Sequence, residues 1–450
     1  MQDGAASIAA SRLTQLTQQS INNPVVRVDE CARVLRRIHM TLIRNLQGCL
    51  LLAPLAAMAL APAYAQDSGQ ASSISEALAA SKPILALRLR YEGVAQDGLA
   101  NDAAAVTWRA RAGLETGTWK DTSFLIDFDL IEDLVDDFNS TINGKTVYPV
   151  VPDPSTAELN RLQITNTSIP DTRLTIGRQR IILDDARFVG NVGWRQNEQT
   201  FDAVRAITSS LGDLVIDVAY VAQVNRIFGE DSAQGRFTGD SYLVNISHPT
   251  PIGKVTGFAY LVDVEEGGGA NSSQTYGVRL AGDTPLGGGK LAYVGSYATQ
   301  SDYGSSNLAY EAPYYLASAT YSQAGFSFGL GYEVLGGDTA RGFSTPLATL
   351  HAYQGWADKF LGTPAAGIED LYGSAGYTFG DVGPLKGLKL TAIYHDFSAE
   401  TLSQDYGTEL DVALTARFKS VEIGLKYADY DADTFATDTS KIWFSIDYAL

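Results

Sequence analysis

The sequence predicts an all-β protein, a single antiparallel transmembrane barrel of about 18 strands with long extracellular loops and short periplasmic turns. Three observations predict it. First, Lys441 to Leu450 alternate without a break: Ile442, Phe444, Ile446, Tyr448 and Leu450 share one face, and Lys441, Trp443, Ser445, Asp447 and Ala449 the other. That is a strand between lipid and water, and its free edge is expected to close against the first strand. Second, the same alternation recurs along the chain. Third, the connections are short and long by turns.

The alternating segments fall near 84–92, 104–115, 122–131, 160–168, 172–180 and 199–208. They continue near 213–225, 240–248, 254–263, 274–282, 290–299 and 313–322, and end near 324–335, 370–379, 387–397, 407–418, 420–429 and 441–450. Each is long enough to cross the hydrocarbon layer at a tilt. Phe326, Phe328, Leu330, Tyr332 and Val334 form one lipid-facing row, and Leu410, Val412, Leu414, Ala416 and Phe418 another. Tyrosine, 23 residues in all, gathers near strand ends, where interface girdles form. Connections after even strands are turn-like, as at Asp171, Gly212-Asp213, Pro251-Ile252-Gly253, Gly383-Pro384 and Lys419. Those after odd strands include 132–159, 181–198, 226–239 and 336–369. Both termini then lie on the periplasmic side.

Arg44 precedes an apolar run from Cys49 to Leu60, and Ala63-Tyr64-Ala65 supplies a small-x-small cleavage site before Gln66. Residues 40–65 therefore read as an export signal beginning at Met40, 1–39 as an upstream extension, and 66–450 as the barrel. Both cysteines, Cys31 and Cys49, precede the cut, which excludes disulfides and thiol chemistry from the exported part. The formal net charge of −18 argues against nucleic acid. Mean hydropathy near zero argues against helical spans and suits a barrel, where every second strand residue meets lipid.

Parity assigns the lumen. With Leu85, Leu87, Leu89 and Tyr91 facing lipid, Arg88, Arg90 and Glu92 face inward. With Val106, Trp108, Ala110 and Leu114 outward, Arg109, Arg111 and Glu115 are inside, and so are Asp127 and Asp129. A ladder of guanidiniums can pass carboxylates between bidentate contacts. The same residues can instead pair across strands and brace the wall. Arg178 and Arg180 open a second cluster, with Asp184, Asp185, Arg187, Trp194, Arg195 and Arg205. Parity breaks near Arg178, so the strand is expected to end there and its loop to fold over the lumen.

Residues 336–369 are too apolar for an uncovered loop, with Phe343, Leu347, Trp356 and Phe360 among them. They are expected to enter the barrel as a constriction, with His351, Trp356, Asp358 and Lys359 near the passage, or else to cap the rim. Asp429, Asp431 and Asp433 lack the glycine of a calcium loop, so no metal is expected. No nucleophile elbow or phosphate-binding loop is present, so the chain reads as a non-enzyme without cofactor.

Several stretches resemble the alginate export family of outer-membrane proteins. They are Gly177-Arg178-Gln179-Arg180 with 187–202, the stretches 137–140 and 143–146, Leu350 to Phe360, and 406–411 with 426–433. The resemblance runs from about residue 83 to the end. It implies an 18-stranded barrel with an arginine-lined lumen conducting an anionic polyuronate, onto which Arg88, Arg90, Arg109, Arg111, Arg178, Arg180, Arg195 and Arg205 map. The expected function is passive passage of an acidic polysaccharide or oligosaccharide across the bacterial outer membrane, by a monomeric barrel in contact with the bilayer. The alternative is a porin for small anionic or neutral nutrients.

Overall fold

The computed structural model describes residues 70–338 and 340–450. The extension and export signal read from the sequence lie outside the described residues. Eighteen strands form one antiparallel sheet. They are β1 (Lys82–Gln96), β2 (Ala103–Glu115), β3 (Thr122–Asp137), β4 (Thr156–Asn166), β5 (Thr172–Gln179) and β6 (Thr200–Leu211). Next come β7 (Leu214–Asn225), β8 (Arg236–Thr250), β9 (Gly253–Val262), β10 (Ser273–Leu286), β11 (Gly289–Ser301) and β12 (Glu311–Gln323). The ring is completed by β13 (Phe326–Leu335), β14 (Ile368–Val382), β15 (Leu385–Ser398), β16 (Asp405–Phe418), β17 (Val421–Ala432) and β18 (Thr439–Ala449).

Each strand pairs with its neighbours in sequence, and β1 pairs with β18, Arg88 opposite Asp447 and Glu92 opposite Trp443. Closure leaves no edge, which a sheet in hydrocarbon requires. The outer face is apolar, with Phe326, Phe328, Leu330, Tyr332, Ile442 and Phe444 exposed to the surroundings. In water such a surface would drive aggregation; in lipid it is the solvated face. This barrel is a protein of the bacterial outer membrane.

The observed strands overlap every predicted segment, but several run further at the loop end. β3 reaches Asp137 rather than 131, which shortens the long connection to 138–155, and β8 begins at Arg236 rather than 240. Here Asp133, Asp136 and Asp137 pair with Thr107, Ala105 and Ala104. Ladder hydrogen bonds need no apolar side chain, so pairing continues after the lipid-facing pattern has stopped. Val334, assigned to the lipid row, is buried near the loop end of β13. The short turns carry left-handed residues, among them Asp171, Lys419 and Gly253. At Gly253 a Cβ would also stand 2.4 Å from the Ala281 carbonyl oxygen, so only glycine fits. A short helix, α1 (Ile74–Ala79), precedes β1 at the turn end; Ser73 caps it by accepting from the Glu76 amide at 3.2 Å.

Candidate functional site

Two connections, 180–199 after β5 and 336–367 after β13, fold inward and contact the lumen-facing side chains. They also hold each other. Val189 and Leu347 form a parallel bridge, the Gly190 amide donates to Leu347 O at 2.8 Å, and the Thr349 amide to Ala186 O at 3.0 Å. Ile181, Val189, Phe343, Leu347 and Phe360 are buried in a continuous apolar cluster. Burial of those side chains explains why a segment this apolar sits inside.

The wall grips the first loop with cations. Arg88 Nη1 donates to the carbonyls of Gly193 (3.0 Å), Trp194 (3.0 Å) and Arg195 (3.1 Å), and its Nε pairs with Asp447. Arg90 donates to the Trp194 carbonyl and stacks 4.2 Å from that indole ring. Arg109 donates to Gln196 O at 3.1 Å, and Gln196 Nε2 to Thr107 Oγ1 at 2.8 Å. Val192, a β-branched residue at φ 49°, turns these carbonyls toward the arginines; such a conformation persists only where its surroundings enforce it.

Glu198 anchors the loop's far end. It accepts from Arg180 Nε (2.7 Å), Asn191 Nδ2 (2.7 Å) and Asn160 Nδ2 (2.8 Å), and pairs with Arg111 at 2.8 Å. Burial pushes its carboxyl up, but Arg111 and Arg180 outweigh that and hold it down at about 2. Arg111 also forks onto Asp129 at 2.7 and 2.6 Å, and Arg161 pairs with Asp127.

The wall grips the second loop with anions. Glu409 Oε1 accepts from the Ala357 amide at 2.7 Å, and Asp411 Oδ2 from the Trp356 amide at 3.1 Å. Gly355, at φ 79°, leaves no room for a side chain, since a Cβ would lie 2.3 Å from Glu409 Oε2. Glu333 takes Arg187 Nε at 2.6 Å and Gln354. Lys359 Nζ donates to Thr439 Oγ1 at 2.7 Å, and burial with Lys441 nearby brings it down to about 8.

Both loops meet at Arg195 and Asp358. Arg195 pairs with Glu92 of β1 at 2.8 Å and with Asp358 at 3.2 Å, and Asp358 pairs with Lys441 of β18 at 2.8 Å. His351 donates from Nδ1 to Asp358 Oδ1 at 2.8 Å, and its Nε2 accepts from Lys426 Nζ at 2.8 Å. Burial drives His351 down to about 3, so the ring is neutral at pH 7 and this tautomer satisfies both neighbours. His351 stacks on Trp194 at 4.5 Å, and Lys426 lies 3.7 Å from the Trp356 ring and 4.2 Å from that of Trp194.

The eight mapped arginines therefore split into two groups. Arg90, Arg109 and Arg111 of the wall are sealed beneath the first loop, and Arg195 of that loop is buried against the wall. Arg88, Arg178, Arg180 and Arg205 keep contact with water, Arg178 with 23% and Arg180 with 32% of the side chain exposed. Arg178 is forked onto Asp202 and Arg205 onto Asp217. The same water-facing arc holds Arg279 paired with Asp185 at 2.8 Å and Lys254 paired with Asp184 at 3.0 Å. Arg279, Lys254 and Lys426 were not singled out from the sequence. Their strand parity marks each as inward, with Val278 and Leu425 on the exposed face beside them.

A closed eighteen-stranded antiparallel ring with loops folded into its lumen is an outer-membrane β-barrel. No family model matches the chain, and no curated protein matches it in sequence. Among solved structures it is similar to OpdK of Pseudomonas aeruginosa, solved with vanillate. That likeness has 15% identity and a TM-score of 0.66, over 82% of this chain and 98% of OpdK. OpdL of the same organism gives 19% and 0.64, over 83% and 99%; OccK8 (OprE) gives 17% and 0.63, over 82% and 98%. At such identities the likeness carries the fold. The resemblance to the alginate export family finds no support in these comparisons. Two of the stretches that suggested it, Gly177 to Arg180 with 187–202 and Leu350 to Phe360, hold two loops against the wall. Any barrel narrowed from within needs such contacts, whatever its cargo.

Proposed function

We propose that this protein is a passive channel for small organic anions, not for a polymer. The observation that carries the reading is the pair of inward loops, each tied to the wall through buried ion pairs or charge-assisted hydrogen bonds. Two such loops leave a restricted route along the water-facing arc of Arg88, Arg178, Arg180 and Arg205. Those guanidiniums are fixed by carboxylates and keep solvent contact, so a solute carboxylate meets oriented donors without being trapped by an unpaired charge. The solved likeness to OpdK, a protein crystallised with an aromatic carboxylate, supports the same size and charge of solute. Passive passage needs no cofactor, and it sets no direction.

Single-channel current in a planar bilayer under a potassium chloride gradient tests this. The expected result is a stable pore with a reversal potential biased toward anions, interrupted by millimolar benzoate and indifferent to polyuronate. Cation selectivity, or block by polyuronate alone, would overturn it.

A further inference from the structure

Nearly every arginine of the inner wall faces a carboxylate. Three arginines at the loop end of the barrel do not. Arg226, Arg236 and Arg341 line one cavity of about 670 Å³ between the connections after β7, β9 and β13. Among the described residues none of the three has an ion-pair partner. Arg226 donates to the Gln234 carbonyl at 3.0 Å and lies over two rings, 4.1 Å from the centre of Phe237 and 4.8 Å from that of Phe228. Arg341 donates to Ser344 Oγ at 3.0 Å and stands over Tyr310, while its buried Nε finds no acceptor.

The nearby acids are turned elsewhere. Asp338 accepts the amides of Ala340 and Arg341 at 2.9 and 2.8 Å. Glu266, which also lines the cavity, accepts the amide and hydroxyl of Thr238, both at 2.8 Å. Burial brings Arg226 down to about 10, with only Glu266 opposing it. The cavity wall is otherwise partly apolar, through Phe237, Leu350 and Leu361. Guanidiniums held in place by rings but lacking a counter-ion are preorganised for one that arrives from solution.

We infer that this cavity is a docking site for a small organic anion, with Arg226 and Arg341 holding its carboxylate and the apolar wall its body. The inference deepens the channel reading and rests on it: solute would be gathered at the mouth before meeting the arc within. Arg236, exposed at the start of β8, adds attraction at range.

Equilibrium dialysis of radiolabelled benzoate against the full protein in neutral detergent micelles reads the site directly. Saturable binding is expected for the unaltered protein and is weakened roughly tenfold or more in R226Q/R341Q. R226K/R341K, which keeps both charges but loses the stacked forks, is expected to bind between the other two and controls for folding. Absence of saturable binding to the unaltered protein, or equal binding to the glutamine variant, would overturn the inference. Potassium chloride current is recorded on the same preparations. Charge-dependent binding by a protein that carries no current would overturn the channel reading and leave the docking site standing.

Discussion

Glu198 joins three separate pieces of the molecule. It takes Arg111 from β2, Asn160 from β4, and Arg180 and Asn191 from its own loop. Its folded value of about 2 lies below the ordinary 4.5, so its contribution is present above pH 4.5 and is lost as pH falls through 2. His351 acts in the same direction, since its value of about 3 lies below 6.5 and its contribution fades as pH falls from 6.5 through 3. Acid should therefore loosen both loops, seen as rising open-channel noise below about pH 4.5. E198Q leaves Arg180 without its anion and Arg111 with Asp129 alone, and is expected to lose about 3 kcal/mol in denaturant unfolding at pH 7. It should also show the noise at neutral pH. An acid response unchanged in E198Q would show that another group holds the loop.

At the scale of the element, strand parity is the strongest signal for the wall, because a period of two leaves each residue only one of two faces. Arg88, Arg90, Asp127 and Asp129 are inside for that reason alone. Parity names a face and not a partner, which is why a route and a brace both fitted the arginine ladder. Arg187 illustrates what was illegible. It reaches Glu333 on β13, far away in sequence, through a loop shaped by left-handed residues at Asp184, Ala186 and Val192. No local pattern encodes such a meeting. The apolar content of 336–369 did show that the segment must be covered, and the cover is the other loop. Removing 345–362 takes away Leu347, His351, Trp356 and Asp358 together, and single-channel conductance should rise at least about twofold. Unchanged conductance would place this loop off the route.

For the whole molecule, the solvent differs on the two faces, and substitutions should report it. On β18, Phe444 faces outward and Ser445 inward. F444K puts a charge into hydrocarbon and is expected to cost about 2–4 kcal/mol, whereas S445K should cost under about 1 kcal/mol. Folding titrations into lipid vesicles measure both, and equal costs would mean that the outer face does not meet lipid. The strand ends were the least legible part of the fold for the same reason. Asp133, Asp136 and Asp137 continue β3 beyond the apolar band, where alternation has no lipid to record.

The joint between β1 and β18 is the one contact of the ring that the chain cannot make until all of it is present. Two braces cross that joint from inside: Arg88 with Asp447, and the relay from Glu92 through Arg195 and Asp358 to Lys441. The relay runs through the very loops that narrow the lumen. Closure of the ring completes the seat of both loops, and the seated loops in turn brace the joint. The last strand to join the ring therefore also completes the seat on which both loops rest.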